Sequence, residues 1–114
     1  INSYMAILAN LFIDQGTDFS ITVDVTDSNG EILNMSGYSS AGQIRKTYES
    51  STVSATFTTS ISAAAGQVTL SLNDTVTSAL GAGRYVYDLN VTSSGGVTTR
   101  VVEGQAIVTP GVTR

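Results

Sequence analysis

The stretch Leu80-Gly81-Ala82-Gly83-Arg84-Tyr85-Val86-Tyr87-Asp88-Leu89-Asn90-Val91 decides the fold. Tyr85, Tyr87, Leu89 and Val91 recur at every second position, with mostly polar residues between them. Side chains alternate across a strand, so this spacing lays one apolar face on a core and turns the other outward. The same period returns on both sides of it. Phe19, Ile21, Val23 and Val25 alternate with Ser20, Thr22 and Asp24, and Val68, Leu70 and Leu72 form another apolar row. Val102, Gly104, Ala106 and Val108 share a face opposite Val101, Glu103, Gln105 and Ile107. Shorter strands are expected around Ile32-Leu33, from Tyr38 to Arg45, and over Val53, Ala55 and Phe57. Residues 7–13 are apolar on both faces, which fits a first strand buried on two sides or paired with a neighbour.

The segments between these rows carry turn chemistry. Asp14-Gln15-Gly16-Thr17 kinks the chain, Asp27-Ser28-Asn29-Gly30 is a hairpin turn, and Ser93-Ser94-Gly95-Gly96 closes the hairpin into the last strand. Ser62-Ala63-Ala64-Ala65-Gly66 is either a loop or one helical turn stopped by glycine. Asn73 to Leu80 reads as a short helical crossover, with Asp74 as its cap and Val76 and Leu80 sealing the core edge. Ser40 and Gly42 are small for core positions, so a bulky ring, a tyrosine from the 85–91 strand, is expected over them. Gly104 in mid-strand marks a bulge or a close backbone approach. Tyr85 resembles a tyrosine corner, its hydroxyl tied back to the preceding crossover. About seven or eight antiparallel strands with turns every 8–12 residues or so have the pattern of an all-β sandwich.

At 114 residues the chain has the length of one domain. Met5 reads as a natural start, so residues 1–4 are expected to be a leftover extension and 5–114 the sandwich. Charged residues make up only 12% and the net charge is −4, with five scattered cations, so no basic footprint for nucleic acid exists. No apolar run approaches the ~20 residues of a membrane-spanning helix. With no histidine and no cysteine, thiol nucleophiles, Ser-His pairs and most transition-metal sites are excluded. Asp24 and Asp27 sit in an Asp-x-x-Asp-x-Asn-Gly run, but it has too few ligands for a calcium loop and no closing Glu. Nothing places two carboxylates together in a glycosidase cleft, and Gly81-x-Gly83 leads into a strand rather than a phosphate-binding helix. The expectation is a protein without catalytic residues, metal or cofactor.

Three stretches resemble a known family. Leu11-Phe12-Ile13-Asp14-Gln15-Gly16-Thr17-Asp18-Phe19, Leu33-Asn34-Met35-Ser36-Gly37-Tyr38 continuing to Gln43-Ile44-Arg45, and Gly83-Arg84-Tyr85-Val86-Tyr87-Asp88-Leu89 with Gly104 and Val108-Thr109-Pro110-Gly111-Val112-Thr113-Arg114 come in the order and spacing of small structural proteins of tailed bacteriophages. The Ser/Thr-rich flavour is similar to versions from phages of marine bacteria, including cyanophages. Ser40 and Gly42 depart from the bulkier residues of that family's third strand. The resemblance implies an immunoglobulin-like sandwich in the virion, made in the host cytoplasm, at the neck, tail, baseplate or fibre attachment. Its partners would be other virion proteins or further copies of itself, with no catalytic residues to carry over.

A partner interface is expected at Ile7, Leu8, Leu11 and Phe12 of the first strand, partly exposed in a lone protomer, and at Val101 and Ile107 on the outward face of the last strand. The competing reading is an adhesion module for host-surface glycan. It requires an exposed aromatic, Tyr48 or Tyr38, beside a carboxylate in a groove. Arg45, Lys46 and Arg84 read as solvated surface or as cross-strand partners of Asp88 or Glu103.

Overall fold

The alternating segments pair into two sheets in the computed structural model, which describes residues 7–26 and 30–112. In chain order the elements are β1 (Ile7–Leu8), β2 (Leu11–Asp14), β3 (Phe19–Asp24), β4 (Ser39–Arg45), β5 (Ala55–Thr56), β6 (Thr58–Ser62), β7 (Gln67–Leu72), α1 (Asp74–Ala79), β8 (Gly83–Thr92) and β9 (Thr98–Thr109). The larger sheet runs β1-β9-β8-β4-β5 with β2 also on β9, and the smaller runs β3-β7-β6. The chain passes between the sheets after β2, β3, β5 and β7, which gives the two-sheet, all-β sandwich expected from the sequence. The core lies between the sheets. Ile13, Ile44, Leu89 and Ala106 from one, and Val68 and Leu70 from the other, are fully buried. Each buried aliphatic side chain of this size contributes about 1.5–3 kcal/mol.

The first edge departs from an all-antiparallel sandwich. β1 and β2 lie parallel to β9, with Leu11 opposite Ala106 and Asp14 opposite Thr109. A parallel pair needs a long crossover, and here the rest of the chain supplies it. The strand is buried on one face only: Leu11 and Ile13 point inward, Phe12 and Asp14 outward. Between β1 and β2 the chain passes over Gly104. A Cβ at Gly104 would stand 2.8 Å from the Ala9 carbonyl carbon and 3.3 Å from its nitrogen, so the close-approach reading of this glycine holds. The bulge lies elsewhere. Leu89 pairs with Val102 but Asn90 with Arg100, which leaves Val101 as the extra residue. Val101 and Val102 are both buried as a result, and the outward position read for Val101 is corrected.

The ring over Gly42 belongs to Phe57, not to a tyrosine of β8. Ala55 pairs with Ile44 in the larger sheet and Thr58 with Ser71 in the smaller, so Phe57 is where the chain changes sheets. Its N–H donates to the Gly42 carbonyl (2.9 Å), and a Cβ at Gly42 would sit 3.1 Å from its ring. The ring then meets Tyr87 edge-on at 6.1 Å. Ser40 is accommodated through a 2.8 Å hydrogen bond to Thr59 Oγ1.

Other local readings shift by a residue or two. Ile32 makes only an isolated bridge to Thr26, so no strand forms around Ile32-Leu33. Residues 63–66 are a turn between β6 and β7, with Gly66 at φ +64°. Residues 1–4, Met5 and Asp27 to Asn29 of the hairpin turn and the rejected calcium run lie outside the described residues. Asn73, not Asp74, caps α1: its side chain accepts from Val76 N–H at 2.9 Å, while the Asp74 N–H donates to Asp18 Oδ1 at 2.8 Å. Thr77, fully buried in α1, donates to the Thr17 carbonyl (2.7 Å) and accepts from Gly16 N–H (3.1 Å), which locks the helix onto the Gly16 bend. Gln15 completes that corner by donating to the Leu80 carbonyl at 2.8 Å.

Candidate functional site

The tyrosines of β8 are architecture. Tyr85 donates from its hydroxyl to the Gly81 carbonyl (2.8 Å), the tyrosine corner expected from the sequence, and the Lys46 ammonium lies 4.6 Å from its ring centre. Tyr87 donates to the Ala9 carbonyl (2.6 Å) across Gly104, its partner on β9. Burial pushes the Tyr87 phenol up to about 12, because the phenolate would lose its water.

The outer face of the larger sheet carries what the core does not use. Phe12, 68% exposed, stands opposite Ile107, which is half-buried, and Ile107 stands opposite Arg84. Of the expected interface residues, these two are brought side by side. Leu11 and Val101 are buried in the protomer, against the exposure expected for Leu11 and the outward placement of Val101. Leu11 follows from the alternation of β2, and Val101 from the bulge. Ile7 and Leu8 pair through their backbones with Val102 and Glu103, and their side chains lie outside the described structure.

Further along the same face, β4 and β8 form the floor of a groove of about 260 Å³. Gln43, Arg45, Asp88 and Asn90 line it together with Arg100, and Tyr48, 59% exposed, borders it. Arg45 holds the loop that carries Tyr48 by donating to the Ser50 carbonyl (2.8 Å) and to Gln43 Oε1 (2.9 Å). Arg100 takes the place expected of Arg45 or Arg84 as the cross-strand cation: its Nε is 3.2 Å from Asp88 and its Nη1 is 3.7 Å from Glu103. The two pairs are part-exposed, so each contributes up to about 1 kcal/mol and mainly fixes side-chain positions. A second cleft, of about 240 Å³, lies at the end of the sandwich among Leu33, Tyr38, Val97 and Val101. Tyr38 is thus half-buried in an apolar cleft, without a carboxylate among its lining residues.

Tyr48 and Asp88 are 40 positions apart and meet only because Gln43 pairs with Asp88 in the sheet. Their alternation marks Gln43, Arg45, Asp88 and Asn90 as outward, which is as far as periodicity reaches. Arg100 joins them through the bulge. Among the described residues no three Asp or Glu side chains cluster as metal ligands, and no helix is long and apolar enough to cross a membrane. No protein-family model matches the sequence, and no curated protein matches it.

Proposed function

We propose that this chain is a non-enzymatic structural protein of a tailed-phage virion that works by protein–protein assembly through the outer face of its larger sheet. The observation that carries the reading is Phe12: a large aromatic, 68% exposed, set against Ile107 on an outer edge of the sheet. An isolated exposed apolar residue is ordinary. An aromatic paired in register with an aliphatic neighbour, on a strand bordered on one side only, is a surface that another protein covers at a gain. The family resemblance supplies the virion, and the second side of the contact is another virion protein or a further copy of the chain.

The test is virion composition. A phage lacking the gene is complemented with the wild-type chain or with Phe12→Asp, and purified particles are analysed by mass spectrometry. The wild-type chain is expected in the particles and Phe12→Asp to be depleted from them, with an unchanged melting curve for the isolated variant. Equal incorporation of both, or absence of the wild-type chain from particles, would rule the proposal out.

A further inference from the structure

We propose that the groove between Tyr48 and Arg100 is a binding site for a carboxylated sugar, a uronic-acid residue of an oligosaccharide. The site stands apart from the Phe12–Ile107 contact, so neither assignment depends on the other. Its volume, about 260 Å³, lies just below the ~300–1,000 Å³ of pockets for drug-sized ligands and is on the scale of a substituted sugar ring. Its chemistry is that of a hydroxyl-rich ligand. Gln43 uses its Oε1 to accept from Arg45 and keeps its amide N–H groups, and the Asn90 side chain has no hydrogen-bond partner among the described residues. Asp88 supplies a carboxylate already oriented by Arg100. Tyr48 adds an exposed aromatic face for the C–H side of a sugar ring.

Arg45 makes the sugar acidic. Of the two cations that line this groove, Arg100 is offset by Asp88 and Glu103, while Arg45 pairs with no carboxylate among the described residues. A guanidinium has five N–H donors, and each of these two engages two of its nitrogens at most in the contacts described, so both keep donors for a ligand carboxylate. Tyrosine and arginine also anchor protein contacts, so an acidic peptide is the competing occupant that the titration tests.

The test is an NMR titration of the ¹⁵N-labelled chain with a galacturonate oligosaccharide, with a neutral galactose oligosaccharide and an oligoglutamate peptide in parallel. Galacturonate is expected to move the signals of Gln43, Tyr48 and Asn90 with a Kd of about 1 mM or tighter. The neutral sugar should bind about tenfold more weakly. Tyr48→Ala, a change in an exposed loop, should weaken galacturonate binding by about tenfold, and Arg45→Gln should abolish the preference for the acidic sugar. The assignment is overturned if galacturonate moves nothing at roughly ten times that concentration, if the neutral sugar binds equally, or if Tyr48→Ala binds as the wild type does. An oligoglutamate that moves the same signals as strongly as galacturonate would make the groove a protein-docking site and would overturn it as well.

Discussion

Replacing Gly104 by alanine tests the most closely fitted contact in the sandwich. Gly104 has no positive φ, so its own backbone accepts an alanine, and the cost comes entirely from what the new methyl meets. It meets backbone: the peptide group of Ala9, which cannot rotate away as a side chain would. The link between β1 and β2 must lift. Lifting it breaks the 2.9 Å bond from Ala9 N–H to the Glu103 carbonyl and the 2.6 Å bond from the Tyr87 hydroxyl to the Ala9 carbonyl, and strains the 3.2 Å bond from Gln105 N–H to Asn10. Each ordinary bond contributes about 1 kcal/mol, and a stranded Tyr87 hydroxyl costs about 1–3 kcal/mol. Alanine recovers about 0.5–1 kcal/mol of strand propensity. The net loss is about 3 kcal/mol, out of the 5–15 kcal/mol or so that hold a domain of this size, and Tm falls by roughly 10–20 °C. Urea unfolding of a double-mutant cycle measures it. Tyr87→Phe should cost about 1–2 kcal/mol in the wild type but recover about 1–3 kcal/mol beside Gly104→Ala, because there it removes a hydroxyl that has already lost its partner. A Gly104→Ala variant within about 0.5 kcal/mol of wild type, or full additivity with Tyr87→Phe, would refute the reasoning.

Four further outcomes are expected. Stability should fall between pH 10 and about 12: the Tyr87 phenol is raised from 10.0 to about 12 in the fold, so the unfolded chain ionises first and gains in that window. Chemical denaturation across it should show the loss in the wild type and a flatter profile in Tyr87→Phe. Asn73→Ala should cost about 1 kcal/mol as a lost helix cap, and Asp74→Ala clearly less, by urea midpoints. Thr77→Val should cost about 2–3 kcal/mol because it strands the Gly16 N–H and the Thr17 carbonyl, whereas Thr77→Ser should retain most of the stability. Tyr85→Phe should lose about 1 kcal/mol and leave the far-ultraviolet spectrum unchanged, since it deletes one hydroxyl–backbone bond and no packing.

Period-two rows made the strands legible. Val68, Leu70 and Leu72, and Tyr85, Tyr87, Leu89 and Val91, point inward as their spacing requires. The tyrosine corner was equally legible, because both of its partners lie within one short segment. What stayed hidden depends on partners far away in sequence. Nothing in Leu11-Phe12-Ile13 announces a parallel seat on β9, so apolar residues in a row read as two-sided when one of them, Phe12, is simply outward. The bulge at Val101 breaks a clean alternation without leaving a mark in composition. Asn73 and Asp74 are both good caps by type, and Asp18 decides between them by taking the Asp74 N–H. By spacing alone Phe57 reads as one more strand residue, and its place over Gly42 exists only because the chain changes sheets there. The groove shows the same limit. The outward parity of Asp88 could be read, but not the register that brings Gln43 and Tyr48 to it.

The working surface is claimed for the outer face of the larger sheet, and hydroxyl-radical footprinting of the free chain against the chain in purified particles tests that claim most directly. Phe12, 68% exposed, should be oxidised readily in the free protein and protected in the particle, while Ile32 and Val97, both 66% exposed, should label alike in both. Protection of Ile32 and Val97 with Phe12 unchanged would contradict it.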